Sequence, residues 1–214
     1  MIYIINNALT NDNIEHLTKD WTPYNFIDNS DNHGDVGRKK SSTFDYKHHS
    51  HDDICKYFWD KITPKVSTYL IKRLSQPYLA WYRESDYYNW HMDAFPCGGV
   101  SSHYSFTCFL NDPDEYEGGE LVLDIGGKEI EIKESKGTCV LYTTGVRHKV
   151  NEILSGDRKV IVGWGESSVI NSKMREILIE LQMFLNDEKS SITMEQYERL
   201  DNTRLNLLRE YANL

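Results

Sequence analysis

Between residues 78 and 166 the chain is cut into short runs of Val, Ile, Leu, Tyr, Phe and Thr by closely spaced turn formers. The runs fall at 78–83, 88–93, 103–110, 119–125, 128–133, 138–142, 147–153 and 158–165. The breaks include Pro96-Cys97-Gly98-Gly99, Asn111-Asp112-Pro113-Asp114, Gly118-Gly119, Gly126-Gly127, Gly145 and Ser155-Gly156-Asp157. Each run has strand length, and the segments between them show no helical period. That order excludes a βαβ series and predicts an antiparallel sandwich or jelly roll.

Helical patterns flank this stretch. Residues 2–5 suit a short strand, and Asp12 with Glu15 resembles a capping box opening a helix through Leu17. Residues 21–51 are rich in polar and turn-forming types and read as loop, with one strand near 41–47. Ile54, Tyr57, Phe58, Ile62, Val66, Leu70 and Leu74 recur three to four apart and predict helix over 52–74. Thr63-Pro64 falls inside that stripe and offers the cap and first position of a second helix. After Ser167, Ile170, Met174, Ile177, Leu178, Leu181 and Leu185 form another stripe, and Thr193 with Gln196 caps a last helix through Tyr211. The expected organisation is one mainly β (α+β) unit. Residues 1–77 give an N-terminal strand and supporting helices, 78–168 the β core, and 169–214 a helical extension that buttresses the core or, alternatively, makes a dimer.

Charge narrows the partners. Lys and Arg total 24 against 33 Asp and Glu, a net −9, with no basic stripe. This disfavours nucleic acid and anionic membranes, both of which need a Lys/Arg surplus. Cys55, Cys97, Cys108 and Cys139 form no CxxC pair and read as reduced thiols. The N-terminus lacks a basic segment followed by an apolar one, and no window approaches the roughly 18 apolar residues of a membrane span. A soluble cytoplasmic protein is expected.

The chemistry concentrates in three places. Tyr88-Asn89-Trp90-His91-Met92-Asp93 lies on an expected strand, where positions two apart share a face, so His91 and Asp93 present an imidazole and a carboxylate side by side. His148 follows 55 residues later, far enough for the intervening strands to return it to the same place. Two histidines and one carboxylate are the facial triad of non-heme Fe(II) oxygenases. The alternative is a His148 that caps a turn or pairs with a surface acid. Arg158, ten residues after His148, heads the apolar run Val160-Ile161-Val162-Gly163-Trp164. A cation entering a buried strand is costly unless paired, and a bound carboxylate would pair with it. The alternative is an edge arginine bridged to Asp157 or Glu152. Lys159 leaves open which of the two neighbours faces inward.

His91-x-Asp93, His148 and Arg158 together resemble the Fe(II)- and 2-oxoglutarate-dependent dioxygenases of the prolyl 4-hydroxylase type, with the PKHD-type hydroxylases closest. Tyr82, nine residues before His91, stands where that family places a tyrosine. Phe109-Leu110-Asn111-Asp112 and Tyr116-x-Gly118-Gly119-Glu120-Leu121 are similar to its strand, acidic turn and hairpin. Gly137-x-x-Val140-Leu141-Tyr142 and Val162-Gly163-Trp164-Gly165-Glu166-Ser167 resemble its later strands. The resemblance covers about 78–168. It implies a double-stranded β-helix holding Fe(II) through His91, Asp93 and His148. It implies 2-oxoglutarate on Arg158 and Tyr82, O2 as cosubstrate, ascorbate as reductant, and hydroxylation of a peptidyl residue, proline first, with release of succinate and CO2. Because Asp93 is present, the halogenating variant, which lacks the acid, is disfavoured. No catalytic residue beyond the metal centre is expected.

Tyr88, Tyr142 and Trp164 are the expected pocket walls, Trp164 because it lies an even step from Arg158. Trp90 should face outward, and Trp81 should pack in the core. His48-His49-x-His51 reads as polar loop before a helix rather than a metal tract. Residues 94–103 are expected to border the substrate, and Ser101-Ser-His103 departs from the basic residue many relatives carry there. The alternatives in function are a hydroxylase of a free amino acid or small metabolite, a non-catalytic metal-binding jelly roll, and a nucleobase-repair dioxygenase, which the acidic charge disfavours.

Overall fold

The computed structural model describes residues 1–30 and 38–213. The chain opens with β1 (Ile2–Ile5), α1 (Asn11–Thr18), β2 (Phe26–Asp28), β3 (Lys39–Lys40), β4 (Ser42–Phe44), α2 (His51–Val66) and β5 (Ile71–Leu74). The middle carries β6 (Tyr78–Tyr82), β7 (Tyr87–His91), β8 (Tyr104–Phe109), β9 (Tyr116–Gly118), β10 (Leu121–Ile125) and β11 (Lys128–Ile132). It continues through β12 (Cys139–Thr143), β13 (His148–Val150), β14 (Ile153–Gly156) and β15 (Arg158–Ser167), and ends with α3 (Ser172–Asp187) and α4 (Met194–Tyr211).

Two antiparallel sheets form the β core. The larger runs β1-β12-β8-β15-β6-β4-β2, with β5 also paired to β15, and the smaller runs β11-β10-β13-β7-β3. Side-chain alternation divides each strand of the larger sheet between two cores. Ala80, Tyr82, Phe109, Val140, Tyr142 and Val160 turn toward the smaller sheet and meet Leu121, Leu123 and Val150. Leu79, Phe106, Cys108, Leu141 and Ile161 turn the other way, onto Leu17 of α1 and Ile54, Phe58 and Ile62 of α2. Each such aliphatic or phenyl side chain, fully enclosed, contributes roughly 1.5–3 kcal/mol of transfer free energy. The helices thus cover one face of the larger sheet, and its other face is left for the smaller sheet and the cavity between them. No helix among the described residues is long and apolar enough to cross a membrane.

Several local expectations change. The stripe at 52–74 is not one helix: α2 ends at Val66, Ser67–Tyr69 makes a 3-10 turn, and Leu70 takes a left-handed conformation (φ 58°) before β5 begins. Pro64 does not open a new helix. It sits in the last turn of α2, where a missing N–H removes one bond of a helix about to end and the buried Ile62 and Val66 keep both sides of it packed. The first helix is capped by Thr10 and Asn13 instead of Asp12 and Glu15: Thr10 is extended (φ −83°, ψ 167°) and accepts from the Asn13 N–H, while Asp12 lies already inside the first turn. Ser155-Gly156 belongs to β14 rather than to a bare turn, because β9 supplies a partner. The loop region 21–51 holds β2 and β3 besides β4, so that the first 77 residues complete both sheets. The Thr193–Gln196 cap is present as expected.

Candidate metal centre and its cavity

The two histidines meet because β7 and β13 are neighbours: His148 is the ladder partner of His91. Their rings lie 4.1 Å apart, centre to centre. Asp93 falls two residues beyond the end of β7, so strand alternation does not place it, contrary to expectation. Hydrogen bonds hold the loop instead. Ser105 of β8 donates to Asp93 Oδ2 at 2.6 Å, and Ser102 donates to the Ala94 carbonyl at 2.9 Å. Asp93 Oδ1 then lies 3.8 Å from Nε2 of both His91 and His148. Donor atoms of the three residues all lie within 4.8 Å of one another.

The imidazoles are oriented for ligation. Nδ1 of His91 is 2.9 Å from the Asn89 carbonyl, and Nδ1 of His148 is 2.9 Å from the Val146 carbonyl. A carbonyl can only accept, so in the neutral rings the proton resides on Nδ1 and the lone pair on Nε2 faces Asp93. Burial, reinforced by the neighbouring His148, pushes the His91 pKa down and favours the neutral, ligating form. Two neutral nitrogens and one carboxylate oxygen are a donor set suited to a divalent ion such as Fe(II).

A cavity of about 400 Å³ opens beside this cluster. Arg158 reaches it from the larger sheet, at 1% exposure, with its guanidinium 5.2 Å from the Tyr82 ring and 5.5 Å from that of Phe109. Its Nε has no hydrogen-bond partner, and no described carboxylate pairs with it, so neither Asp157 nor Glu152 takes the role considered for them. Lys159 points to the opposite face, over Trp81. Tyr82 is the ladder partner of Arg158; burial pushes its hydroxyl up to about 12, against the pull of that arginine.

The expected walls also line this cavity. Tyr88 stacks on His91 at 3.6 Å and 14°, Tyr142 meets His148 edge-on at 5.4 Å, and Trp164 meets Tyr78 at 5.5 Å. Trp90 faces away, beneath Arg147 and Lys149. Trp81 packs at 5.1 Å from Phe26 on the helix-covered face. His51 begins α2 and is buried, and His48 bonds Ser50 just before it. Three contributors escaped the sequence patterns. Ser105 is one polar residue in a buried strand. Arg38 and Lys39 enter the cavity from a stretch read as loop, where only their charge could have drawn notice.

Residues 78–166 match the family model described as the 2OG-Fe(II) oxygenase superfamily. Among curated proteins, the chain is 38% identical over 146 residues to a PKHD-type hydroxylase of Maricaulis maris, covering 66% of this chain and 65% of that one. It is 39% identical over 110 residues to one of Colwellia psychrerythraea, covering 50% and 49%. It thus spans less than two thirds of those two relatives. A PKHD-type hydroxylase of Rippkaea orientalis aligns over 99% of this chain and 100% of its own length at 30% identity. The fold is that of a Trichoplax adhaerens prolyl hydroxylase solved with a hypoxia inducible factor peptide fragment (TM-score 0.59, 18% identity, 78% and 83% covered). It is also that of a Pseudomonas putida prolyl-4-hydroxylase (TM-score 0.55, 17% identity, 78% and 92% covered). With the histidine–aspartate cluster, the buried arginine and a full-length relative in agreement, the chain belongs to the 2OG-Fe(II) oxygenase superfamily and, within it, to the PKHD-type hydroxylases.

Proposed function

We propose that this protein is an Fe(II)- and 2-oxoglutarate-dependent dioxygenase that hydroxylates an unactivated C–H of a peptidyl residue, proline first. The reaction consumes R–H, O2 and 2-oxoglutarate and yields R–OH, succinate and CO2. One oxygen atom ends in the hydroxyl and the other in succinate; the C–H bond and the keto acid each supply two electrons. O2 is the oxidant, and iron, when bound, would activate it with the electrons that the keto acid supplies.

The chain's own residues do the rest. His91 and His148 offer Nε2 and Asp93 offers Oδ1, while Ser105 occupies the other carboxylate oxygen. Arg158 holds the far carboxylate of 2-oxoglutarate, with Tyr82 beside it. Tyr88, Tyr142 and Trp164 wall the cavity and exclude water. The observation that carries this reading is Arg158 itself. A fully buried guanidinium without an acid among the described residues, in the same cavity as a metal donor set, calls for a dianionic ligand that chelates at one end. The Trichoplax neighbour, solved with a peptide, supports a peptide as substrate. Ascorbate is the reductant proposed to keep the iron ferrous, and the cytoplasm, where the free thiols stay reduced, is the proposed compartment.

The test supplies Fe(II), 2-oxoglutarate, ascorbate and O2, and measures succinate together with a mass gain of one oxygen on a panel of proline-containing peptides. Succinate no higher than in the His91→Ala variant would overturn the oxygenase reading. Turnover stimulated by free amino acids and not by peptides would move the substrate to the small-metabolite class.

A further inference from the structure

Strand β3 is two residues long, and its two lysines part company. Lys40 reaches the surface and pairs with Asp86 at 3.5 Å. Lys39, the ladder partner of Tyr88, turns into the cavity. Its ammonium lies 4.8 Å above the Tyr88 ring, and that ring stacks on His91. Among the described residues no ion pair is made to Lys39, and burial pushes it down to about 8 although Asp93 pulls the other way. A largely enclosed cation costs free energy that a structure recovers only when an anion arrives.

Counting charge shows which anion is left to arrive. In the loaded site, Asp93 and the chelating carboxylate balance the two charges of iron, and Arg158 balances the far carboxylate of 2-oxoglutarate. Lys39 has no counterpart in that sum, and Arg38, which also lines the cavity, adds to its positive side. In a molecule of net charge −9, a residual cation beside the metal donors is not part of a general basic surface.

We propose that Lys39 is a specificity residue that receives a carboxylate of the substrate, so that the favoured substrates carry an acidic group close to the C–H that is hydroxylated. This rests on the oxygenase reading of the cavity. The carboxylate has two sources, an acidic side chain beside the target residue or the free α-carboxylate of a small substrate.

The experiment is calorimetric titration of protein loaded with Zn(II) and 2-oxoglutarate, Zn(II) keeping the site closed to redox turnover. One probe pair is N-acetyl-aspartate N-methylamide against its asparagine isostere; the other is N-acetylproline against N-acetylprolinamide. Uptake of Zn(II) and 2-oxoglutarate is measured first, so a failure of the oxygenase reading appears in that step. In that event the same pairs are titrated against metal-free protein, where Lys39 still faces the cavity. The expected result is a preference of about tenfold or more for the carboxylate in one pair, which names the source. Lys39→Met and Lys39→Gln should abolish it and Lys39→Arg retain it, with no fall in melting temperature and Zn(II) uptake unchanged in all three. Equal binding within each pair, no binding of any probe, or a preference that survives in Lys39→Met overturns the proposal.

Discussion

Ser105 donates a 2.6 Å hydrogen bond to Asp93 Oδ2, and Asp93 Oδ1 is thereby turned to both imidazoles, 3.8 Å from each Nε2. The serine stands on β8 of the larger sheet and the histidines on β7 and β13 of the smaller one. A single hydroxyl thus fixes the one donor that no strand fixes. Ser105 is also 3.2 Å from the Thr144 hydroxyl, which steadies it from behind.

Removing that hydroxyl should loosen the carboxylate without disturbing the sheets. Ser105→Ala is expected to weaken divalent-metal affinity by roughly 10–100-fold, the range found for partners of metal ligands. Competitive titration of Co(II) against a chelator reads this directly. An affinity equal to wild type would show that Asp93 is held by the loop alone.

Much of this site is legible in sequence because its two histidines and its arginine lie on strands. Period-two alternation puts Arg158 and Trp164 on one face, and Trp90 on the outside, without any knowledge of the fold. Asp93 is different. His91-x-Asp93 looks like a same-face strand pair, yet the strand stops at His91, and the carboxylate comes into place through Ser105, a long-range hydrogen bond with no local signature. Lys39 escapes for the same reason. Its strand is two residues long and is defined only by the partner it finds in β7, so its direction is tertiary information. Helix limits fail where apolar spacing is ambiguous: Leu70 and Leu74 continue the stripe of α2, but they belong to the turn and strand that follow it.

Arg158 carries an unmatched charge when the cosubstrate is absent. Replacing it with methionine, which fills a similar volume, should therefore stabilise the empty protein while it weakens the loaded one. The expected gain is about 1–4 kcal/mol, the range found when buried ion pairs are replaced by apolar side chains. Thermal melts with and without 2-oxoglutarate test both halves: Arg158→Met should melt higher alone and lose the upward shift that the keto acid gives wild type. A shift of unchanged size would mean that 2-oxoglutarate is held elsewhere.

Two glycines of like conformation should respond unequally to alanine. Gly118 (φ +74°) ends β9, where it is the ladder partner of Ile153 in β14, and an added Cβ would overlap the Glu152 carbonyl oxygen; Gly126 (φ +63°) turns between β10 and β11 with open space around it. Gly126→Ala should cost only the left-handed backbone penalty, about 1 kcal/mol. Gly118→Ala adds a backbone clash and should cost clearly more, with urea denaturation as the measure. Equal midpoints for the two variants would mean that the end of β9 shifts freely away from the Glu152 carbonyl.

The loop that follows Asp93 is tied down by one carboxylate. Glu166 of β15 accepts from Arg73 at 2.7 Å and from the Ser101 N–H at 3.3 Å, and Lys72 lies 3.6 Å away. Burial alone would raise its pKa, but the Ser101 N–H, Arg73 and Lys72 outweigh it and hold the carboxyl below its usual range. A lowered folded-state pKa means that the contribution to stability is complete above the unfolded value of about 4.3 and is lost as pH falls through the folded one. Because the knot joins residues 99–101 to β5 and β15, its loss should free the loop bordering the cavity before the sheets open. Hydrogen exchange in 94–103 is expected to quicken, beyond its intrinsic pH dependence, as pH drops below about 4.3, while Phe106 and Ile161 stay protected. Glu166→Gln should show the faster exchange already at neutral pH and no further acid step. A variant loop as protected as wild type at both pH values would place the anchoring in the remaining backbone bonds, His103 N–H to the Gly165 carbonyl at 3.0 Å and Val100 N–H to the Cys97 carbonyl at 3.1 Å.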